Sequence, residues 1–144
     1  MEWHIQQHAV DCNQHSLILL RTVPGIGKIL SLVILYEIHT IERFPSGQNF
    51  ASYCRLIKCK RESAGKSYGT AGAKIGNAYL KWAFSEAAVL FLRKNPDAQE
   101  WLEKKAHPHN KARALTILAH KIGRAVYFML KRHTVFDQER FLNS

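Results

Sequence analysis

The chain has 144 residues, 47% of them apolar, and its 21 lysines and arginines against 11 acidic residues give a formal net charge of +10. This is enough for one globular domain with its own core, and no run is apolar enough to cross a membrane. Three cysteines are too few for a disulfide framework, and the first residues lack the order of a secretory signal, so we expect a cytoplasmic protein. The positive balance favours a polyanionic partner over an acidic small substrate.

The N-terminal third of the chain reads as two helices joined by a tight turn. Apolar residues recur at helical spacing over residues 3–20 and again from Lys28 to about His39. The connecting sequence, Thr22-Val23-Pro24-Gly25-Ile26-Gly27, has the composition of a turn. We therefore predict a helix-hairpin-helix motif.

The hairpin has the residues needed to hold a nucleic-acid backbone. Gly25 and Gly27 permit a tight turn and a close approach of backbone amides to a phosphate. Lys28 starts the second helix, whose positive dipole end would face that anion. Pro24 fixes the direction of the chain and Ile26 can fill the space between the helices. An ordinary tight turn in a helical protein is the alternative interpretation.

Two shorter features follow the second helix. The sequence Phe44-Pro45-Ser46-Gly47 ends it, and a short helix is predicted from about Gln48 to Leu56. A basic, glycine-rich loop then leads to Asn77, a predicted N-cap. Such a loop can follow a phosphate backbone, because glycine permits close approach and each cation displaces a counterion. A solvated surface loop is the alternative. The residues expected to contact DNA here are Lys58, Lys60, Arg61, Gly65, Lys66, Tyr68, Lys74, Asn77 and Lys81.

The rest of the chain is predicted to be helical. Apolar residues surround most of the helix from residue 78 to 91, as in a buried central helix. Asn95-Pro96-Asp97 opens a shorter helix that runs to about Lys105. A long helix follows residues 107–110. Trp82 and Trp101 are predicted to be core or interface aromatics, as is Trp3.

These elements predict an all-α fold with a helix-hairpin-helix and a glycine-rich basic loop. Residues 1–16 are expected to form a leading helix, the end of a linker or coiled coil. Residues 17–132 are expected to form a DNA-binding domain, and residues 133–144 a tail.

Several short segments stand in a characteristic order along residues 17–91. They are the hairpin Thr22–Gly27, Glu37-Ile38 with Ile41, Phe44-Pro45-Ser46, Phe50-Ala51-Ser52-Tyr53, Glu62-Ser63-Ala64-Gly65-Lys66, Lys74-Ile75-Gly76-Asn77 and the segment Leu80–Ala88. In this order and spacing they resemble the C-terminal domain of the DEDD-type insertion-sequence transposases. That group includes the Piv and MooV site-specific invertases and the bridge-RNA-guided recombinases. Residues 115–127 are similar to the final helix of the family.

The resemblance implies DNA transposition by site-specific recombination. In full-length members a serine of this domain works with an N-terminal nuclease-like fold, whose four acidic residues hold a divalent metal such as Mg²⁺. The serine at the matching position is Ser63, the candidate catalytic nucleophile. Arg61 and Lys66 would place positive charges near the phosphodiester oxygens. Ser67 and Thr70 are alternatives, and a serine in a glycine-rich loop is usually a turn residue.

The acidic metal-binding domain is not in this sequence, because Asp11, Asp97 and Asp137 do not lie on strand-like segments. We therefore expect no cofactor in this chain, and binding of nucleic acid without strand cleavage by the chain alone. The expected partners are DNA, a second copy of the chain because recombination requires at least two subunits, and a guide RNA as in the RNA-guided members. A fragment of a longer transposase and a free-standing domain are both compatible with the sequence.

Two other function classes remain open. One is a nucleic-acid-binding module in which Ser63 is structural. The other is a helical oligomerisation domain with an incidental basic surface. A metal site shared by His4, His8, Cys12 and His15 is less favoured than a solvated or interface face, since no four-ligand spacing is completed. We assign no metal ligand.

Overall fold

A computed structural model describes residues 14–57, 76–106 and 110–144, and within them all regular structure is helical, as predicted. Helix α1 covers residues 14–21 of the described part. The helices that follow are α2 (Lys28–Ile38), a 3₁₀ turn (Ile41–Arg43), α3 (Gly47–Tyr53), α4 (Ala78–Phe91), α5 (Pro96–Ala106), α6 (Lys111–Arg132) and α7 (Gln138–Asn143).

Side-chain caps explain where several of these helices begin. The predicted N-cap Asn77 is confirmed, because its Oδ1 accepts a hydrogen bond from the Leu80 amide at 3.0 Å. Asn110 caps α6 in the same way, accepting from the Arg113 amide at 2.8 Å. Ser46 and Asp137 cap α3 and α7. Gly27 has no side chain, and α2 begins without a side-chain cap.

Helix α6 is the centre of the packing. Its buried face includes Leu118, Ile122 and Val126, and α3, α4 and α5 all lie against it. Gly123 permits close contact with the chain after α3, because a Cβ at this position would overlap Leu56. The Tyr127 hydroxyl donates to the Phe44 carbonyl at 3.0 Å in the buried interior. The largest fully buried side chains are Phe50, Phe84 and Phe91.

Helices α2 and α4 are antiparallel neighbours. Gly25, just before α2, lies against the backbone of Leu90 and Phe91 at the C-terminal end of α4. Glu37, near the end of α2, accepts a hydrogen bond from Asn77 at the start of α4. A helix of 14 residues rises about 20 Å. The hairpin turn and the start of α4 are therefore about 20 Å apart.

The prediction that α4 is buried around most of its circumference is wrong. Tyr79 is 67% exposed and Trp82 is 50% exposed, so Trp82 is not a core residue of this chain. Helix α4 packs on α6 and α2, and both neighbours contact its inward side. Its exposed side carries both apolar and polar residues, the latter being Lys81, Ser85 and Glu86. The buried residues are Leu80, Ala83, Phe84, Ala87, Ala88 and Phe91.

Residues 133–144, which were expected to form a tail, pack onto the core. The rings of Phe136 and Phe141 lie 5.9 and 5.5 Å from the ring of Phe91. Asn95 and Gln138 exchange two side-chain hydrogen bonds of 3.0 and 2.9 Å. The C-terminal segment thus covers the end of α4 that faces the hairpin turn.

Candidate nucleic-acid interface

Buried side chains of the hairpin turn and a hydrogen bond from the C-terminal segment hold the turn in place. Val23 and Ile26 are buried, and the Ile26 amide donates to the Val23 carbonyl at 3.0 Å. The Thr22 hydroxyl donates to the Leu19 carbonyl at 2.6 Å and accepts from the Phe136 amide at 2.9 Å. Ile26 therefore fills space between the helices, and its contribution to binding would be to hold the turn in place.

Gly25 is required by packing. Its φ is +95°, a conformation that L side chains rarely adopt. A Cβ here would lie 2.6 Å from the Phe91 amide nitrogen and 2.8 Å from the Leu90 carbonyl carbon. The turn can therefore approach the end of α4 only because this residue has no side chain.

Gly27 lies in open space. It is exposed, its φ is −97°, and a Cβ would meet nothing within 4 Å. Its carbonyl accepts the first helical hydrogen bond, from the Ser31 amide at 3.0 Å. The first amides of a helix have no partner within the helix, and here no side chain caps them. The helix dipole places partial positive charge at this end of α2, where Gly27 and Lys28 are exposed.

Further cations lie near this turn. Arg21 is exposed at the end of α1. Arg93 and Lys94 are exposed and come two and three residues after Phe91, against which Gly25 packs. These three residues were not predicted as site residues. Arg93 and Lys94 approach the turn only through the antiparallel packing of α2 and α4, which no local pattern reveals.

A second group of contacts fixes the two ends of the basic loop. The Asn77 amide nitrogen donates to the Tyr53 carbonyl at 2.7 Å, and its side-chain Nδ2 donates to Glu37 Oε2 at 2.7 Å. Gly76 has a φ of +123°, and a Cβ there would lie 2.8 Å from the Tyr53 oxygen. We call Glu37, Tyr53, Gly76 and Asn77 the loop anchor. It joins three of the segments that carried the family resemblance.

The side chain of Asn77 makes two hydrogen bonds inside the protein. Its Oδ1 caps α4 and its Nδ2 binds Glu37. Asn77 therefore positions the end of the loop, and its predicted contact with DNA stays a prediction. Beside it, the Nε of Arg55 is buried without a hydrogen-bond partner among the described residues. Lys81, one turn into α4, is exposed and available for contact.

The remaining predictions fall on parts of the chain that the structure does not describe. They concern Lys58, Lys60, Arg61, Ser63, Gly65, Lys66, Tyr68, Lys74, His4, His8, Cys12 and Trp3. Within residues 14–57, 76–106 and 110–144, no group of three or more His, Cys, Asp or Glu side chains could hold a metal ion. Burial raises the pKa of the Cys54 thiol, so this thiol stays protonated and is not a competing nucleophile. No helix of the described part is long and apolar enough to span a membrane.

Comparison with known proteins gives two matches. A model of the family described as "Transposase IS116/IS110/IS902 family" matches residues 18–103. The chain is also 23% identical over 142 residues to a Streptomyces coelicolor protein described as "Insertion element IS110 uncharacterized 43.6 kDa protein". That alignment covers 93% of this chain and 35% of the relative, so the chain spans about a third of the relative's length. No solved structure matches the chain.

Proposed function

The chain belongs to the IS116/IS110/IS902 transposase family, and we propose that it is the DNA-binding, serine-bearing domain of such a transposase. The turn at Gly27 and Lys28 would hold the phosphate backbone of duplex DNA. Ser63, in the basic loop, would be the nucleophile in strand cleavage. The reaction class is DNA transposition by site-specific recombination.

The observation that carries this proposal is the uncapped start of α2 on a rigid turn. Gly25 fixes the turn against α4, while Gly27 leaves the first amides of α2 exposed. A helix N-terminus of this kind attracts anions through both its amides and its dipole. Exposed cations at Arg21 and Lys28 add the sequence-independent attraction that a polyphosphate requires.

The proposal requires the turn and the basic loop to reach the same DNA. The loop anchor lies about 20 Å from the turn, which corresponds to roughly six nucleotides along one DNA strand. A segment such as residues 58–75, tied at both ends, cannot extend more than about 30 Å from its anchor. Chain length therefore allows both to contact one duplex, at phosphates several nucleotides apart.

For catalysis, Ser63 Oγ would form a phosphoester bond to the target phosphorus and displace a sugar oxygen. The charges of Arg61 and Lys66 would stabilise the anionic transition state. An isolated serine hydroxyl is a weak nucleophile without a base or metal. We therefore propose that cleavage needs the nuclease-like domain with Mg²⁺ that the resemblance implies, and that this chain alone binds DNA without cutting it.

The proposed partners follow from the reaction. DNA is the partner that the transposase family implies. Because recombination joins at least two DNA ends, we propose a homo-oligomer, and a guide RNA as an additional partner as in the RNA-guided members. The cytoplasm, where bacterial DNA lies, is the proposed location.

Ser63 can be tested in a protein that joins this chain to a family nuclease-like domain. We expect Ser63→Ala to abolish recombination while leaving DNA affinity unchanged, because only the nucleophile is removed. The matched control is Ser67→Ala, a serine of the same loop, which should remain active. If the Ser63→Ala protein still recombined DNA, the remaining interpretation would be a DNA-binding module in which Ser63 is not catalytic.

A helical oligomerisation domain is the second candidate, and one observation favours it. Helices α2 and α4 both expose large apolar side chains on the side away from the core. These are Ile29, Leu32 and Tyr36 on α2 and Tyr79, Trp82 and Val89 on α4. Such faces are typical of protein contacts. This candidate predicts that changes at Gly27 leave DNA binding unaffected.

A further inference from the structure

A groove of about 450 Å³ runs between α6 and the C-terminal segment. On α6 it is lined by Lys121, Arg124, Phe128 and Arg132, whose spacing of three and four residues places them along one face of the helix. The opposite wall includes Arg140. The groove therefore has four cationic side chains within one concave surface.

Lys121 already donates from Nζ to the Ser144 O and Oγ at 3.0 and 2.7 Å, so the three arginines are the groove cations that carry the argument. Asp137 is the one acidic residue among the described residues that line the groove, and its Oδ1 already accepts a hydrogen bond from the Arg140 amide at 3.2 Å. The ion pairs of the described chain, Lys104 with Glu100 and Lys131 with Glu42, involve none of the groove arginines. Partial burial and then the nearby charges of Lys105 and Arg124 lower the pKa of Lys121.

Apolar rings lie between the cations. Phe128 and Phe136 are half-buried and line the groove. The guanidinium of Arg132 lies over the Phe128 ring, 4.8 Å from its centre. Cations combined with aromatic faces are the features that bind unpaired nucleotides, whose phosphates need charge and whose bases need a flat apolar surface. A duplex would present only its phosphates to such a groove.

The groove lies next to the first residue of the hairpin turn. The amide of Phe136, which lines the groove, donates to the Thr22 hydroxyl at 2.9 Å. Thr22 begins the turn that leads to Gly27. The groove and the start of the turn are therefore neighbours in the fold.

We propose that this groove binds an unpaired nucleic-acid strand, with Arg124, Arg132 and Arg140 on its phosphates and a base against Phe128 and Phe136. The inference rests on the proposed function for the class of its ligand, but it requires neither Ser63 nor the basic loop. It assigns the C-terminal segment a binding role in addition to its packing role.

The test compares a labelled oligothymidylate with a duplex of the same length by fluorescence anisotropy. The double variant Arg124→Ala/Arg132→Ala removes two exposed groove cations. The matched control, Lys111→Ala/Arg113→Ala, removes two exposed cations from the first turn of the same helix. We expect the groove variant to weaken single-strand binding about tenfold or more and to lower the salt slope by about 1.4, or 0.7 for each lost phosphate contact.

The affinity of the control variant for the single strand, and that of the groove variant for the duplex, should change by less than about threefold. Phe128→Leu, which keeps an apolar side chain but removes the ring, should weaken only single-strand binding. Three results would each overturn the proposal. The groove variant could lose affinity equally for single strand and duplex, or it could bind the single strand as well as the wild type does. Polyglutamate at equal charge could also displace the oligonucleotide. The groove variant could lose single-strand affinity while Gly27→Asp leaves duplex binding unchanged. That result would contradict the proposed function but would still support the groove assignment.

Discussion

Gly25 and Gly27 stand two residues apart in one turn, but the structure uses them differently. Gly25 has a positive φ and lies against the backbone of α4, whereas Gly27 has an ordinary φ and open space around it. The sequence pattern predicted a single role for both, that of close approach to a phosphate. Gly25 is required by packing against α4, whereas Gly27 has open space around it, and a phosphate contact at either residue stays a prediction.

This difference predicts unequal effects on stability. Gly25→Ala should lower the free energy of unfolding by more than about 2 kcal/mol, since it combines backbone strain with a clash against a helix backbone. Gly27→Ala should lower it by less than about 1 kcal/mol. Urea unfolding of both variants measures this. Equal losses would mean that the turn does not pack on α4 as described.

Asn77 offers a test in which pH matters. Asn77→Asp retains an N-cap but puts a second carboxylate at the position that now lies 2.7 Å from Glu37 Oε2. The two carboxylates should repel each other in the folded state, and protonation in acid should remove this repulsion. The variant should therefore be less stable than the wild type by about 1–2 kcal/mol at pH 7, with the difference shrinking as the pH falls towards about 4.

Thermal unfolding at several pH values would show this. The matched control is Asn110→Asp, the same change at the N-cap of α6, where the side chain binds only the Arg113 amide. Asn110→Asp should be neutral or slightly stabilising across the same range. A pH-independent loss in Asn77→Asp would contradict the Glu37 contact.

At the scale of elements, the sequence predicted what local periodicity and capping control. The starts of α2, α4 and α6 agree with the predictions because a glycine turn and two Asn caps mark them. The burial of α4 was mispredicted because Tyr79, Trp82 and Val89 are exposed although they are apolar. The packing of α7 could not be predicted, since it depends on aromatic contacts with distant Phe91.

The packed C-terminal segment predicts a measurable energetic role. Phe141 is buried and its ring contacts Phe91 at 5.5 Å. Phe141→Ala should therefore cost about 3 kcal/mol of unfolding free energy. Val135→Ala, an exposed apolar residue of the same segment, should cost less than about 0.5 kcal/mol. Denaturant titration of the two variants measures these free energies. A small loss in Phe141→Ala would mean that the segment contributes little to stability.

At the scale of the molecule, the turn and the loop anchor occupy opposite ends of the α2 and α4 pair. The sequence singled out the turn and the basic loop because each has its own glycine and charge pattern. It could not show their separation, nor that Arg93 and Lys94 come near the turn, because both depend on the antiparallel packing of two helices far apart in sequence. The groove was missed because the C-terminal segment was interpreted as a tail rather than as a wall packed beside α6.

The most direct test of DNA binding at the turn is the affinity of the Gly27→Asp variant for duplex DNA. An Asp at this N-cap would satisfy the free amides of α2 and repel phosphate, while keeping or slightly raising stability. Gln48→Glu, in the first turn of α3, is the control with the same charge change. We predict that Gly27→Asp raises the Kd about tenfold or more at unchanged stability and that Gln48→Glu does not. Equal Kd values for the two variants and the wild type would contradict DNA binding at this turn.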